Sequence, residues 1–242
     1  MVDLSIIFPA YNEAGRISKT LHLFNAYLSK KPWTFEFIVV DDGSTDDTVK
    51  LVENLKNDID NLTVIPATAN NGKGYAVRVG MLKAQGQLRL FSDADGSTPI
   101  EEIDKILKPL LYHKSDVSIG SRYLDNSNIS KPQPFMRRVW SRLANKVVQN
   151  MLLPGIVDPH CGFKAFTAEA TIKIFSKCQI NEWSFDLEVL AIARQLNLNI
   201  SEIPVIWAND EQSKGKLSQL PKEILNLYKI KKRISKQINP AF

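Results

Sequence analysis

Short apolar runs alternate with amphipathic stretches along most of the chain. Leu4 to Phe8 is a mostly apolar run ended by Pro9, the pattern of a buried parallel strand. From Asn12 the spacing turns helical, with Ile17, Leu21, Phe24 and Leu28 on one face. Phe35 to Val40 repeats the strand pattern, and Thr48 to Lys56 predicts a helix with Val49, Val52 and Leu55 inward. Leu62 to Ile65 predicts a third strand, Tyr75 to Gln85 a helix, Leu88 to Ser92 a fourth strand and Val117 to Gly120 a fifth. Thr98-Pro99 followed by Glu101 and Glu102 opens a helix between the last two, with proline and acids where a helix start favours them. This alternation predicts an α/β fold with a mostly parallel central sheet and helices on both faces.

The second half is more helical. Residues 134 to 152 are amphipathic and basic, Ala168 to Ser176 and Asp186 to Leu196 predict helices, and Ile200 to Trp207 predicts one strand. Asn209 to Gly215 is a polar loop, and Leu220 to Ile238 reads as a closing basic helix. Sheets of this kind bind ligands at the carboxyl ends of their strands. The polar clusters fall there, after Phe8, Val40, Phe91 and Ile119.

Composition narrows the classes. At 242 residues, 44% hydrophobic and 24% charged, the chain has enough apolar material for a large core and is neither disordered nor fibrous. Two cysteines cannot frame a disulfide scaffold, and three scattered histidines argue against structural zinc. No run approaches the roughly 18 to 20 apolar residues of a spanning helix. The start has neither a basic n-region nor a cleavage site, so a cytoplasmic protein, free or peripheral, is expected. A net charge of +5 points to an anionic partner. The charge is segregated: bases gather in residues 137 to 146 and 222 to 236, while acids gather at strand ends. That favours phosphates and a membrane face over nucleic acid.

The chemistry-bearing residues sit in the strand-end clusters. Asp93-Ala94-Asp95 places two carboxylates where both can face a hard cation; Asp-Ala-Asp-Gly is equally good turn chemistry. Asp41-Asp42-Gly43-Ser44 ends another strand, with Asp42 the candidate ligand-binding acid and Ser44 to Asp47 the candidate cap for the next helix. Asn71-Gly72-Lys73-Gly74 precedes a helix, where glycines admit a ligand to the backbone and Lys73 can meet a phosphate. Its spacing is not that of the nucleoside-triphosphatase loop, and no Gly-x-Gly-x-x-Gly follows the first strand. Pro9-Ala10-Tyr11-Asn12-Glu13 stands there instead, with Tyr11 able to stack on a base.

In this order the motifs resemble those of family 2 glycosyltransferases of the GT-A fold. The matching residues are Pro9 to Glu13, Val40 to Asp46, Asn71 to Gly74, Asp93 to Asp95 and Gly120-Ser121-Arg122. Asp158 to Phe166, Trp183 to Glu188, Glu202 to Trp207 and Ser213-Lys214 extend the resemblance to the dolichyl-phosphate β-glucosyltransferase branch, with polyprenyl-phosphate mannosyltransferases as near relatives. The resemblance implies a Rossmann-like catalytic domain over 1–219; residues 220–242 read from their own pattern as a basic amphipathic helix, either a membrane-surface element or one that packs its apolar face on the domain. The resemblance also implies inverting, metal-dependent transfer of a hexose to a polyprenyl or dolichyl phosphate, with UDP-glucose favoured as donor and GDP-mannose second. The alternative is transfer to a saccharide hydroxyl in cell-envelope polysaccharide.

Carried over by position, Pro9, Ala10, Tyr11, Glu13 and Asp42 would hold the base and ribose. Asp93 and Ala94 would meet the nucleotide–sugar region, and Asp95, with Asp93, would bind Mg²⁺ or Mn²⁺. Ser97 is a weak further ligand. Arg122 would lie near the sugar or acceptor, and Lys73 and Lys214 near phosphates. A phosphate acceptor is largely ionised near neutral pH and needs no strong base. A hydroxyl acceptor needs one, and Asp186 is then the candidate. The resemblance places the enzyme peripherally, at the cytoplasmic face of a membrane.

Overall fold

The computed structural model describes residues 2–131, 146, 148–208 and 226–233. A seven-stranded sheet runs in the order β3-β2-β1-β4-β7-β5-β8. Its strands are β1 (Leu4–Ala10), β2 (Phe35–Asp41), β3 (Leu62–Pro66), β4 (Leu88–Ser92), β5 (Val117–Ser121), β7 (Phe163–Thr167) and β8 (Ile200–Pro204). All run parallel except β7, which is antiparallel to both its neighbours. A separate parallel pair joins β6 (Asn128–Lys131) to β9 (Ile206–Ala208).

The helices form a layer on each face. α1 (Ile17–Leu28), α2 (Thr48–Leu55) and α4 (Ile103–Leu111) pack on one side, over a core that includes Ile6, Phe8, Phe24, Phe37 and Leu107. α3 (Lys73–Lys83), α5 (Ala168–Phe175) and α6 (Phe185–Gln195) pack on the other, over Ile7, Val40, Phe91, Phe166 and Phe185. Neighbouring residues of β1 thus serve opposite cores, as the two-residue period of a strand requires. Leu227 and Ile230, in the helical residues 226–233, belong to the second core.

Several expectations are corrected. Pro9 does not end β1; the strand continues to Ala10, paired with β2 through Pro9↔Val40 and Ala10↔Asp41. Pairing with β4 stops at Ile7↔Phe91, so the missing proline N–H falls where β1 has one partner only. α3 begins at Lys73 rather than Tyr75. Val49 is half-buried; Thr48, Val52 and Leu55 form the buried face of α2. Ile200 to Trp207 is two strands: β8 follows β5 to Pro204, then Val205 N donates to Ser121 O and β9 joins β6. β7 has no counterpart among the strands expected from periodicity. Most of residues 134–152, 209–215 and 220–238, with the 1–219/220–242 division, lies outside the described residues.

Candidate active site

The parallel strands deliver their ends to one edge of the sheet, and the antiparallel β7 delivers the turn that precedes it. The turns after β1 and β2 are cross-linked. Asn12 N donates to Ser44 Oγ at 2.8 Å, Thr45 N to Asn12 Oδ1 at 2.8 Å and Glu13 N to Thr48 Oγ1 at 2.8 Å. Glu13 pairs with Arg16 at 2.5 Å. Tyr11 is half-buried beside these bonds. Asp41 accepts the N–H of Ser44 at 2.9 Å and the Ser44 hydroxyl, and Asp46 accepts Thr48 N at 3.0 Å. Of the expected caps for α2, then, Asp46 acts at its first turn, whereas Asp47, the residue before the helix, makes no capping bond.

Asp42 reaches the site as a tether. Its two oxygens accept Asn71 N at 2.8 Å and Gly72 N at 2.7 Å, and Asp42 N donates to Ala10 O at 2.8 Å. Burial raises its carboxyl pKa, and the two N–H donors oppose that rise. Gly72 has φ +108°, and a Cβ there would lie 2.3 Å from Asn181 O. Only glycine suits both the backbone and the contact.

Lys73 opens α3 and turns to Asp93 at 2.5 Å, with its ammonium 4.9 Å from the Trp183 ring centroid. Burial works against the Lys73 charge, but Asp93, Asp186 and Asp95 more than offset it and raise its pKa. The cation expected for phosphate is therefore also the counter-ion of the Asp93-Ala94-Asp95 turn. That turn is fixed on several sides. Thr20 Oγ1 donates to Ala94 O at 2.8 Å, Ser97 N to Asp95 Oδ1 at 2.9 Å and Asp93 N to Gly162 O at 3.1 Å. Ala94 itself is buried. Ala208 N donates to Ser97 O at 2.8 Å, so β9 ends beside this turn. Lys214 and the rest of residues 209–225 lie outside the described residues.

The donor set suits one hard divalent cation. Burial and the neighbouring Asp93 charge both raise the Asp95 pKa, a pair of costs that a cation at these oxygens relieves. Among the described residues no group of three His, Cys, Asp or Glu side chains is arranged to hold a metal. Asp93 and Asp95 could serve as protein ligands, with a substrate diphosphate adding others.

Beyond β5 lies a second charged cluster. Arg122 binds Asp158 through Nε at 2.7 Å and a terminal nitrogen at 2.8 Å, and its own N–H donates to Asp158 at 2.9 Å. The guanidinium sits 5.4 Å from the Tyr123 ring centroid and 5.2 Å from that of Trp207. Burial alone would raise the Asp158 pKa; Arg122 outweighs it and holds the carboxyl below its ordinary value. Burial likewise opposes the Arg122 charge, and Asp158 reverses the effect. Glu202 fixes the same turn by accepting Asp158 N at 2.7 Å and Val157 N at 2.9 Å.

Asp186, in the first turn of α6, is ion-paired with Lys164 of β7, whose ammonium also donates to Cys161 O at 2.7 Å. Lys164 is 0% exposed at its side chain and Asp186 3%. The structure therefore assembles Asp42, Lys73, Asp93, Asp95, Arg122 and Asp186 in one charged region, with the Pro9–Glu13 segment along its edge. It also brings in residues that the sequence reading did not single out: Asp158, His160, Gly162, Lys164 and Glu202. Their signal lay in the Asp158–Phe166 and Glu202–Trp207 segments, quoted above only as resemblances.

A mostly parallel sheet with a carboxylate turn and an amide-lined glycine loop at its strand ends has the architecture of the GT-A fold. Residues 5–175 match the family described as Glycosyl transferase family 2, and the chain belongs to that family. It is a glycosyltransferase.

Among its relatives, a dolichyl-phosphate beta-glucosyltransferase of Trichomonas vaginalis is 35% identical over 238 residues, covering 95% of this chain and 73% of the relative. The Drosophila melanogaster enzyme of that name is 37% identical over 226 residues, covering 88% and 69%. The human one is 35% identical over 225 residues, covering 88% and 69%. Among solved structures, glucosyl-3-phosphoglycerate synthase from Mycobacterium tuberculosis, in complex with Mn²⁺, UDP-glucose and phosphoglyceric acid, superposes with a TM-score of 0.72. It is 19% identical and covers 95% of this chain and 80% of that one. At that identity the likeness shows the fold.

Proposed function

We propose that the chain transfers glucose from UDP-glucose to a dolichyl or other polyprenyl phosphate, with inversion and with Mg²⁺ or Mn²⁺ bound at Asp93 and Asp95. The relatives named above support the substrate class. The observation in the site that carries the reading is the state of Asp186. Its carboxylate is 3% exposed and held by the buried Lys164 ammonium, so it is not presented to an incoming hydroxyl as a base would be. A phosphate nucleophile needs no base, whereas a saccharide hydroxyl does.

In this reading the Pro9–Glu13 segment, with Tyr11, holds the uracil and ribose, against the loop that Asp42 tethers. Lys73 keeps the Asp93 carboxylate in place and sets positive charge beside the diphosphate. A bound divalent cation supplies the remaining charge for the leaving UDP. Arg122, held in a fixed plane by Asp158 and flanked by Tyr123 and Trp207, has a terminal nitrogen with no hydrogen bond among the described residues, and in this reading it serves the acceptor side. Lys214 completes the phosphate contacts.

Among the described residues no helix is long and apolar enough to cross a membrane. Tyr228, Lys229, Lys231 and Lys232 line the exposed side of residues 226–233, while Leu227 and Ile230 anchor the other side in the core. That polarity suits docking at an anionic membrane surface, the cytoplasmic face in our reading.

The decisive experiment supplies radiolabelled UDP-glucose or GDP-mannose, polyprenyl phosphate and Mg²⁺ or Mn²⁺, then extracts lipid. A labelled lipid with UDP-glucose is the expected result; no lipid-linked product with either donor refutes the proposal. Replacing Lys229, Lys231 and Lys232 by Glu is expected to reduce flotation with anionic vesicles at low salt. Flotation equal to wild type removes the membrane-facing role of this helix.

A further inference from the structure

His160 stands in the best-anchored turn of the site and is itself unclaimed. On one side Asp158 is held by Arg122 and Glu202; on the other, Cys161 O accepts from the Lys164 ammonium and Gly162 O from Asp93 N. The backbone that carries the imidazole is thus fixed within two residues in each direction. The ring is half-buried, and among the described residues it makes no hydrogen bond.

Asp186, Lys164, Asp158 and Arg122 all act electrostatically on the ring. These are two anions and two cations, already paired with one another. Burial is the largest influence on it and lowers its pKa, which leaves the imidazole neutral at physiological pH. A neutral imidazole offers one N–H donor and one acceptor nitrogen. That is the complement of a hydroxyl, itself donor and acceptor. It is a poor match to a phosphate, which only accepts and which Lys73 and Arg122 serve better.

We propose that His160 hydrogen-bonds a hydroxyl of the hexose on the nucleotide-sugar donor and so helps to set which sugar the site accepts. The inference rests on the donor reading given above. The turn places His160 between Gly162, against which the Asp93 carboxylate lies, and the Arg122–Asp158 pair on the acceptor side. A hexose being passed from diphosphate to acceptor spans that interval.

The test is a cycle between protein and ligand. UDP-glucose and its 2-, 3-, 4- and 6-deoxy forms are assayed as donors with wild type, His160→Gln and His160→Phe, using lipid-extracted product. Binding of UDP alone, and thermal unfolding, are measured on each protein. For one deoxy donor, wild type is expected to lose roughly tenfold in kcat/KM, the effect of one lost hydrogen bond with a partner left unpaired. His160→Phe should lose a similar factor with UDP-glucose and nothing further with that deoxy donor. His160→Gln, which keeps a donor and an acceptor, should recover part of the loss, and UDP affinity should be unchanged in both variants.

Equal losses across all deoxy donors in wild type and His160→Phe overturn the proposal. A uniform fall in kcat with no donor dependence also overturns it, because that is the behaviour of a general base. If wild type yields no lipid product with UDP-glucose, the donor reading itself fails and this inference falls with it. Turnover without the donor dependence removes only the role of His160.

Discussion

Replacing Gly162 by Ala should separate activity from stability. A Cβ at this position would lie 2.0 Å from Asp93 Oδ2, 2.4 Å from Cγ and 2.6 Å from Oδ1. Optimal heavy-atom contact is about 3.5 Å, so the carboxylate must retreat by roughly 1 Å or more. The Gly162 backbone lies outside the left-handed region, so alanine meets no conformational penalty there and the clash falls on Asp93 alone. The Asp93 side chain is 32% exposed and can swing outward. Doing so loses its contact with Lys73, an interaction worth about 1 kcal/mol at that exposure. The fold should therefore survive, with a drop of only a few degrees in unfolding temperature.

Catalysis should not survive as well. A displacement of about 1 Å in a positioned group costs on the order of 100-fold, equivalent to about 2.7 kcal/mol of transition-state stabilisation. The assay is kcat/KM for glucosyl transfer to polyprenyl phosphate over a Mn²⁺ titration, beside thermal unfolding of the same preparations. A folded Gly162→Ala protein with kcat/KM within about threefold of wild type and an unshifted Mn²⁺ dependence would refute the view that this glycine fixes Asp93.

Further outcomes follow from the buried charges. Lys164→Met should destabilise by about 3 to 5 kcal/mol in urea unfolding, because Asp186 loses its buried ion-pair partner. Lys164→Met with Asp186→Leu should recover most of that loss; a double variant as unstable as the single one would show that the pair is not the source. Because the His160 pKa is lowered in the fold, the unfolded chain binds more protons below its ordinary value of 6.5. Stability from this residue is thus complete above that value and is lost as pH falls toward the folded-state pKa. His160→Gln should flatten the wild-type drop in unfolding temperature between pH 7 and 5, and an unchanged slope would remove His160 as its cause.

Much of the fold was readable from periodicity. The five parallel strands at the front of the chain, and the helices between them, follow apolar spacing to within a few residues. β7 was not readable because a charge sits in the middle of Phe163-Lys164-Ala165-Phe166. The strand buries its lysine against Asp186, distant in sequence, which no local pattern announces. The break after Pro204 was hidden for a related reason: Ile200 to Trp207 alternates smoothly while its hydrogen bonds pass from β5 to β6. The carboxylate turn and the glycine loop were readable because strand ends collect ligand-binding residues. That Lys73 would pair with Asp93, and Asp42 with two backbone amides, was not, since both contacts close only after the strands align. His160 was passed over because antiparallel β7 brings its preceding turn to the site, the reverse of what a parallel strand does.

The Arg122–Asp158 pair joins residues 36 apart in sequence, at the point where the chain leaves β5 and the point where it returns toward β7. It works as a clasp at the base of that excursion. By holding the two ends of the excursion to each other, it shortens the loop that must close for β5 and β7 to pair. The excursion is itself tied back into the fold, through β6 on β9 and through Val148, Leu153 and Ile156 in the second core.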